Sequence, residues 1–209
     1  MNKKNDVRVD VNLLHPMLRH KLNLLLKKCN EEGIYLIITE GFRTVEQQNA
    51  LYAKGRTTAG KIVTWAVGSQ YQSQHQWGIA FDIAINDPKN VYNMAYIKRV
   101  ANIAKMKSIS LGWGGDWSDF PDNPHFYLKK WGSTTYTLKL LYGTVDKFKK
   151  KWVAKVNKKS GLYIWDKTHK KKTRLMPYGV EVNVLWRHLK WSRIEYDGTV
   201  GYARSKYLK

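Results

Sequence analysis

Cysteine is nearly missing from this chain: Cys29 is the only one in 209 residues. No internal disulfide can form, and a cysteine-built zinc site is excluded. Cys29 ends an apolar helical pattern, so it reads as a small buried hydrophobe. Long apolar runs are missing too. No stretch reaches the roughly 18 apolar residues of a membrane span, so no transmembrane segment is expected. The opening Met1-Asn2-Lys3-Lys4-Asn5-Asp6 lacks the apolar core of a signal peptide. The expectation is a protein made in the cytoplasm and, if it works outside, released by another route. Acidic residues are scarce: 16 Asp and Glu stand against 37 Lys and Arg, a net charge of +21.

The charge is uneven. Residues 1–145 carry 19 basic and 11 acidic side chains, whereas residues 146–209 carry 18 and 5. The second part therefore holds +13 of the +21. A basic surface attracts polyanions, whether nucleic acid, acidic lipid or the teichoic acids of a bacterial wall. For a small basic chain nucleic acid is the first expectation, and charge alone does not choose. Hydrophobic residues make up 43% of the chain, enough for a packed core, and the length fits one ordinary domain plus a small one.

Hydrophobic periodicity divides the chain in two. Leu18, Leu22, Leu25, Leu26 and Cys29 recur at helical spacing, with Pro16 suited to the first turn and Gly33 to the stop. Residues 34–39 read as a strand. Thr44 and Gln47 form a capping box that opens a second helix, which Gly55 ends. Residues 57–77 are loop-rich. Residues 78–85 read as a strand that sets Phe81, Ile83 and Ile85 on one face and Ala80, Asp82 and Ala84 on the other. A helix over 93–106, a loop over 112–124, a strand over 125–128 and a helix over 133–142 complete the first part. Residues 143–151 are lysine-rich and read as a linker. From Trp152 onward short β-prone pieces follow, at 152–156, 161–165, 181–186, 191–196 and 199–203. Asp197-Gly198 is a hairpin signal between the last two. The expected fold class is an α+β domain over 1–142 followed by a small all-β barrel over 152–209.

Three residues carry the chemistry. His75 and Asp82 lie in Ser73-Gln74-His75-Gln76-Trp77-Gly78-Ile79-Ala80-Phe81-Asp82, and His125 in Asp122-Asn123-Pro124-His125-Phe126. Two imidazoles and one carboxylate are a ligand set for a catalytic zinc with one open position. Asp122, three residues before His125, is placed to act as general base on a water there. Arg43 follows a strand end and is a candidate for binding a substrate carboxylate or stabilising an oxyanion. Gln47 and Ser73 are candidate substrate contacts. Each has a plainer reading: a His-Asp pair seven apart is a weak signal, Asp122 suits a turn, Arg43 a solvated loop, and Gln47 a cap. His15, His20, His169 and His188 have no supporting pattern and read as structural or surface. The tryptophans and glycines of Gly112-Trp113-Gly114-Gly115-Asp116-Trp117 divide evenly between packing and a substrate role.

Residues 34–128 resemble the zinc peptidases of the D-alanyl-D-alanine carboxypeptidase and L-alanyl-D-glutamate endopeptidase superfamily. The Ser-x-His-x-x-Gly-x-Ala-x-Asp signature is present as Ser73, His75, Gly78, Ala80 and Asp82. The acidic-x-x-His motif is Asp122 to His125, and the upstream Gly-aromatic-Arg-Ser/Thr motif is Gly41-Phe42-Arg43-Thr44. The stretch from Glu46 to Thr57 and Gly114-Gly115-Asp116-Trp117 resemble the endopeptidase branch in particular. Asp122 points the same way, since the dipeptidase and carboxypeptidase branches generally have Glu there. The loop from Thr64 to His75 is longer than usual. The second part is similar to bacterial SH3-like wall-binding domains, through Ser160-Gly161-Leu162-Tyr163-Ile164, Gly179 to Leu185, Trp191 to Ile194, Gly201-Tyr202-Ala203 and Ser205 to Leu208.

The resemblance implies zinc held by His75, Asp82 and His125, with Asp122 as general base. It implies a peptidoglycan hydrolase of the phage endolysin type, cutting between L-alanine and D-glutamate of the stem peptide. It also implies a C-terminal domain on a wall polymer. With no nucleic-acid motif present, it moves the basic charge from nucleic acid toward the wall. A monomer is expected. The alternatives are a D,D-carboxypeptidase, or an inactive protein that binds wall or nucleic acid.

Overall fold

The computed structural model describes residues 8–209. Met1–Asp6, read above as lacking a signal-peptide core, lies outside the described residues. The described residues form two compact units that divide between Val145 and Asp146. Among the described residues, no helix is long and apolar enough to cross a membrane.

The first unit opens with helix α1 (Pro16–Glu31), with Pro16 in its first turn. Leu18, Leu22, Leu25 and Cys29 fall three or four residues apart, and all are buried. Each leucine contributes roughly 1.5–3 kcal/mol by leaving water. The His15 side chain caps the helix by accepting from the Met17 N–H at 3.0 Å. Strand β1 (Leu36–Glu40) follows. Thr44 then caps α2 (Val45–Ala53), and the reciprocal bonds with Gln47 expected from the sequence are both present. Strand β2 (Ala80–Ile85) and helix α3 (Met94–Lys105) lead to β3 (Gly112–Trp113) and β4 (His125–Tyr127). The four strands form an antiparallel sheet in the order β1-β2-β4-β3. Helix α3 packs against α1 and β3. Every residue of β2 is buried except Asp82, which is half-buried, so both faces of this central strand are covered. Helix α4 (Tyr136–Tyr142) closes this run.

Residues 143–151, read as a linker, contain the short helix α5 (Val145–Lys149). Phe148 there is buried, and its ring meets Trp152 edge-on at 5.5 Å. The second unit is all β: β5 (Val153–Lys155), β6 (Leu162–Trp165), β7 (Lys172–Met176), β8 (Glu181–Trp186), β9 (Trp191–Tyr196) and β10 (Thr199–Arg204). They form one sheet in the order β5-β8-β9-β10-β6-β7. Five of these strands match expected pieces, and Asp197-Gly198 joins β9 to β10 as a hairpin. Strand β7 was not expected. Its sequence Lys-Thr-Arg-Leu-Met is exposed up to Met176, so it carries no alternating apolar signal. The core is small and aliphatic, built on Val156, Leu162, Ile164, Val184 and Ile194. Trp165, Trp186 and Trp191 do not fill it. Trp165 and Trp191 alternate with buried neighbours and point to the other face of the sheet, and Trp186 is exposed.

His15 makes the first unit acid-sensitive. Burial, then the charges of Lys130 and Arg19, hold its imidazole down at about 3, against an ordinary value of 6.5. Above that ordinary value the ring is neutral in both states and contributes no pH dependence. Below it the unfolded chain takes up a proton that the folded chain refuses. Stability then falls by roughly 1.4 kcal/mol per pH unit. His15→Asn keeps a capping side chain and removes the titration. Its unfolding midpoint in denaturant should fall less between pH 6.5 and 4 than that of the native chain. Equal slopes would rule out His15 as the source.

Candidate metal centre and its surroundings

Two strands and one helical turn bring His75, Asp82 and His125 together. His75 lies in a single 3-10 turn, Gln74–Trp77, which stops at Gly78 just before β2. Asp82 sits mid-strand in β2, directly opposite His125 at the start of β4. Strand alternation turns both side chains to the same face. Behind them Phe81 and Phe126 pair on the opposite face, their rings stacked at 5.9 Å and fully buried.

The three donor atoms converge. His75 Nε2 lies 3.2 Å from His125 Nδ1 and 3.3 Å from Asp82 Oδ1, and His125 Nδ1 lies 2.9 Å from Asp82 Oδ1. A tetrahedral zinc with bonds of about 2.0–2.1 Å needs ligand atoms about 3.3–3.4 Å apart. The triangle is close to one face of that tetrahedron, so the donor set fits the ion. The outer ring nitrogens agree. His75 Nδ1 sits 2.7 Å from the Gly41 carbonyl, which can only accept. The proton belongs on Nδ1, leaving the inward Nε2 lone pair bare. Before an ion takes the two inward nitrogens, burial pushes the Asp82 carboxyl up, but the charge of a protonated His75 and hydrogen bonds donated by both rings outweigh it. The carboxyl is held well below the ordinary range and stays ionised.

Asp122 belongs to the same neighbourhood. Burial, then the Asp82 charge, raise its carboxyl above the ordinary value, while the charges of His125, His75 and Arg43 oppose this. Its backbone is pinned at both ends: its N–H donates to the Gly114 carbonyl at 3.0 Å, and its carbonyl accepts from the His125 N–H at 3.2 Å. Gly114 must be glycine, because an added Cβ would stand 2.5 Å from the Asp122 carbonyl oxygen. Trp113 donates from Nε1 to the Asn123 carbonyl at 2.7 Å and steadies the same loop. Trp117 lies tilted over His125 at 5.1 Å. The Gly-Trp-Gly-Gly-Asp-Trp stretch thus shapes the wall around Asp122 and His125.

Arg43 is buried, not a solvated loop charge. Its Nε meets Glu40 at 3.3 Å and its Nη1 donates to Gln48 Oε1 at 2.6 Å. Its backbone N–H donates to the His75 carbonyl at 3.3 Å. Gln48, fully buried, passes the connection on through Nε2 to the Ala66 carbonyl at 2.8 Å. Gln47 commits its Oε1 to the cap of α2. Together with Arg8, Arg43, Ala50, Leu51 and Lys54 it lines a groove of about 350 Å³. Ser73 is buried at the start of the His75 turn, and its N–H faces Gln76 Oε1 at 3.4 Å. Sequence reasoning missed Gln48 and Gln74, both buried. Their only signal is an uncharged amide beside a candidate site residue, which is too common to single out.

Residues 67–128 match the D-alanyl-D-alanine carboxypeptidase family, and residues 166–209 match the bacterial SH3 domain. The chain is 37% identical over 123 residues to the peptidoglycan L-alanyl-D-glutamate endopeptidase CwlK of Bacillus subtilis. That alignment covers 54% of this chain and 71% of the relative. It is 34% identical over 131 residues to the L-alanyl-D-glutamate peptidase of Listeria phage A118, covering 61% of this chain and 43% of that protein. The crystal structure of the Serratia marcescens L-Ala D-Glu endopeptidase ChiX is 25% identical with a TM-score of 0.42. It covers 58% of this chain and 86% of that one. By the extent of its match to the Bacillus enzyme and by its shared motifs, this chain belongs to the D-alanyl-D-alanine carboxypeptidase and L-alanyl-D-glutamate endopeptidase superfamily.

Proposed function

We propose that the protein is a zinc-dependent peptidoglycan hydrolase that cuts the L-alanyl-D-glutamate bond of the stem peptide. The observation that carries this reading is the convergence of His75 Nε2, His125 Nδ1 and Asp82 Oδ1 within 3.3 Å of one another. The two curated relatives, both named for that bond, support it. His75, Asp82 and His125 hold the ion. Bound there, zinc supplies Lewis acidity toward a water and toward the scissile L-alanine carbonyl. Asp122 takes the proton of the attacking water and returns it to the leaving D-glutamate amine. A carboxyl raised by burial suits both halves of that exchange. Arg43, held rigidly by Glu40 and Gln48, holds a stem-peptide carboxylate or the polarised carbonyl. Gln47 and Ser73 contribute to the substrate wall.

The second unit serves as the wall anchor in this reading. The bacterial SH3 match and its net charge of +13 both support attachment to an anionic wall polymer. Residues 1–142 then form the cutting domain and residues 152–209 the binding domain. The protein acts on the bacterial wall, as a phage lysis enzyme does, and as a monomer.

Asp122 and His125 separate cleanly by experiment. His125→Ala should lose zinc and activity together. Asp122→Asn should keep zinc and fold but lose about 100- to 10,000-fold in turnover. Metal analysis beside turnover reads both, and an emptied site in Asp122→Asn would make that residue a ligand instead.

Mass spectrometry of digested, purified peptidoglycan identifies the bond. The expected product carries a new N-terminal D-glutamate, or its amide, with L-alanine left on the glycan. Free D-alanine as the main product would establish a D,D-carboxypeptidase.

Residues 1–145 alone should cleave soluble wall fragments as the full chain does and lyse whole cells poorly. Tethering raises local concentration only on the insoluble wall. The second unit alone should bind walls, more weakly at high salt, where exposed charges are screened over less than about 8–10 Å. Equal lysis of whole cells by the truncated and full chains would remove the anchoring role.

A further inference from the structure

We infer that Gln74 is a positioning residue that sets the tautomer and orientation of His125 toward the metal. The inference rests on the zinc reading above and adds a residue to it. His125 offers Nδ1 to the centre, so its Nε2 carries the proton in the metal-bound state. That Nε2 lies 2.9 Å from Gln74 Oε1. A glutamine amide can face a ring N–H either way round, and only the oxygen can accept. What fixes the amide here is its other end. Gln74 Nε2 donates to the Gly132 carbonyl at 3.2 Å, and a carbonyl cannot donate in return. The amide is therefore locked with its oxygen toward His125. Gln74 and His125 are both buried, so the bond between them is shielded from water.

The lock extends one step further. Gly132 has φ 84° and ψ −173°, a backbone region that is essentially reserved for glycine. That conformation ends the Lys129–Trp131 turn and aims the Gly132 carbonyl at Gln74. A chain of contacts thus runs from the Gly132 backbone through the Gln74 amide to the outer nitrogen of His125. The Gly41 carbonyl does the same for His75. One histidine is set by backbone directly, and the other by backbone through a glutamine. Partners of this kind typically change metal affinity by about 10- to 100-fold when removed.

The test uses the full-length chain and zinc alone, with affinity read by competition against a chromophoric chelator. Gln74→Met keeps the length and shape of the side chain and removes both bonds. Its zinc affinity should fall by about 10- to 100-fold. Gln74→Glu keeps the acceptor facing His125 Nε2 and should bind zinc within a few-fold of the native chain, or tighter. A third measurement needs no variant. In the zinc-loaded native protein labelled with ¹⁵N, the His125 ring should show a protonated Nε2 whose proton exchanges slowly with water. Native affinity in Gln74→Met, loss in Gln74→Glu as large as in Gln74→Met, or a fast-exchanging Nε2 proton would each overturn the inference. A native chain that binds no zinc at all would instead overturn the zinc reading, and this inference with it.

Discussion

The candidate site depends on the register between β2 and β4. Asp82 stands opposite His125 because Phe81 stands opposite Phe126. The two phenylalanines stack with full burial on one face, and the two polar groups share the other. A slip of β4 by one residue would turn His125 toward the Phe81 face and drive Phe126 into the site beside Asp82. The hydrophobic pairing therefore selects the register, and the register delivers two of the three donors. His75 joins them because its turn ends immediately before β2 begins.

Around this pair the interior is unusually polar, and it is ordered by amides. Gln48, Gln74 and Gln76 are all buried, and each has both ends of its amide engaged. An unsatisfied buried amide costs about 1–3 kcal/mol, so each orientation is strongly determined. Gln48 holds Arg43, and Gln74 meets His125. Gln76 ties the His75 turn to the Gly68 carbonyl at 2.8 Å. The loops that carry the site residues are thus fixed by side-chain hydrogen bonds where no sheet ladder is available.

The second unit solves a different problem. It has few apolar residues to bury, and its core is a short list of aliphatic side chains. Trp165 and Trp191 lie outside that core, where cations cover them: Arg204 stands 4.2 Å from the Trp191 ring and Lys172 5.6 Å from Trp165. Aromatic faces and long basic stems shield one another there. This arrangement accommodates +13 on 64 residues without a large hydrophobic interior.

Much of this was legible in the residue order. The capping box at Thr44 and Gln47, the apolar stripe of α1, the alternation in β2 and the Asp197-Gly198 hairpin are local patterns with local causes, and they appear where expected. The residue types of the ligand set could also be read, because imidazole and carboxylate chemistry belongs to the side chains themselves. Strand β7 was not legible: its lysine, threonine and arginine follow no apolar period, and pairing with β6 alone makes it a strand. The outward placement of the tryptophans, the burial of Arg43 and the engagement of Gln48 and Gln74 were not legible either. Each depends on which segment, distant in sequence, lies alongside. The sequence by itself determined which groups this protein has for chemistry. The tertiary structure decided which atoms face one another, because hydrogen bonds and burial are settled by neighbours in space.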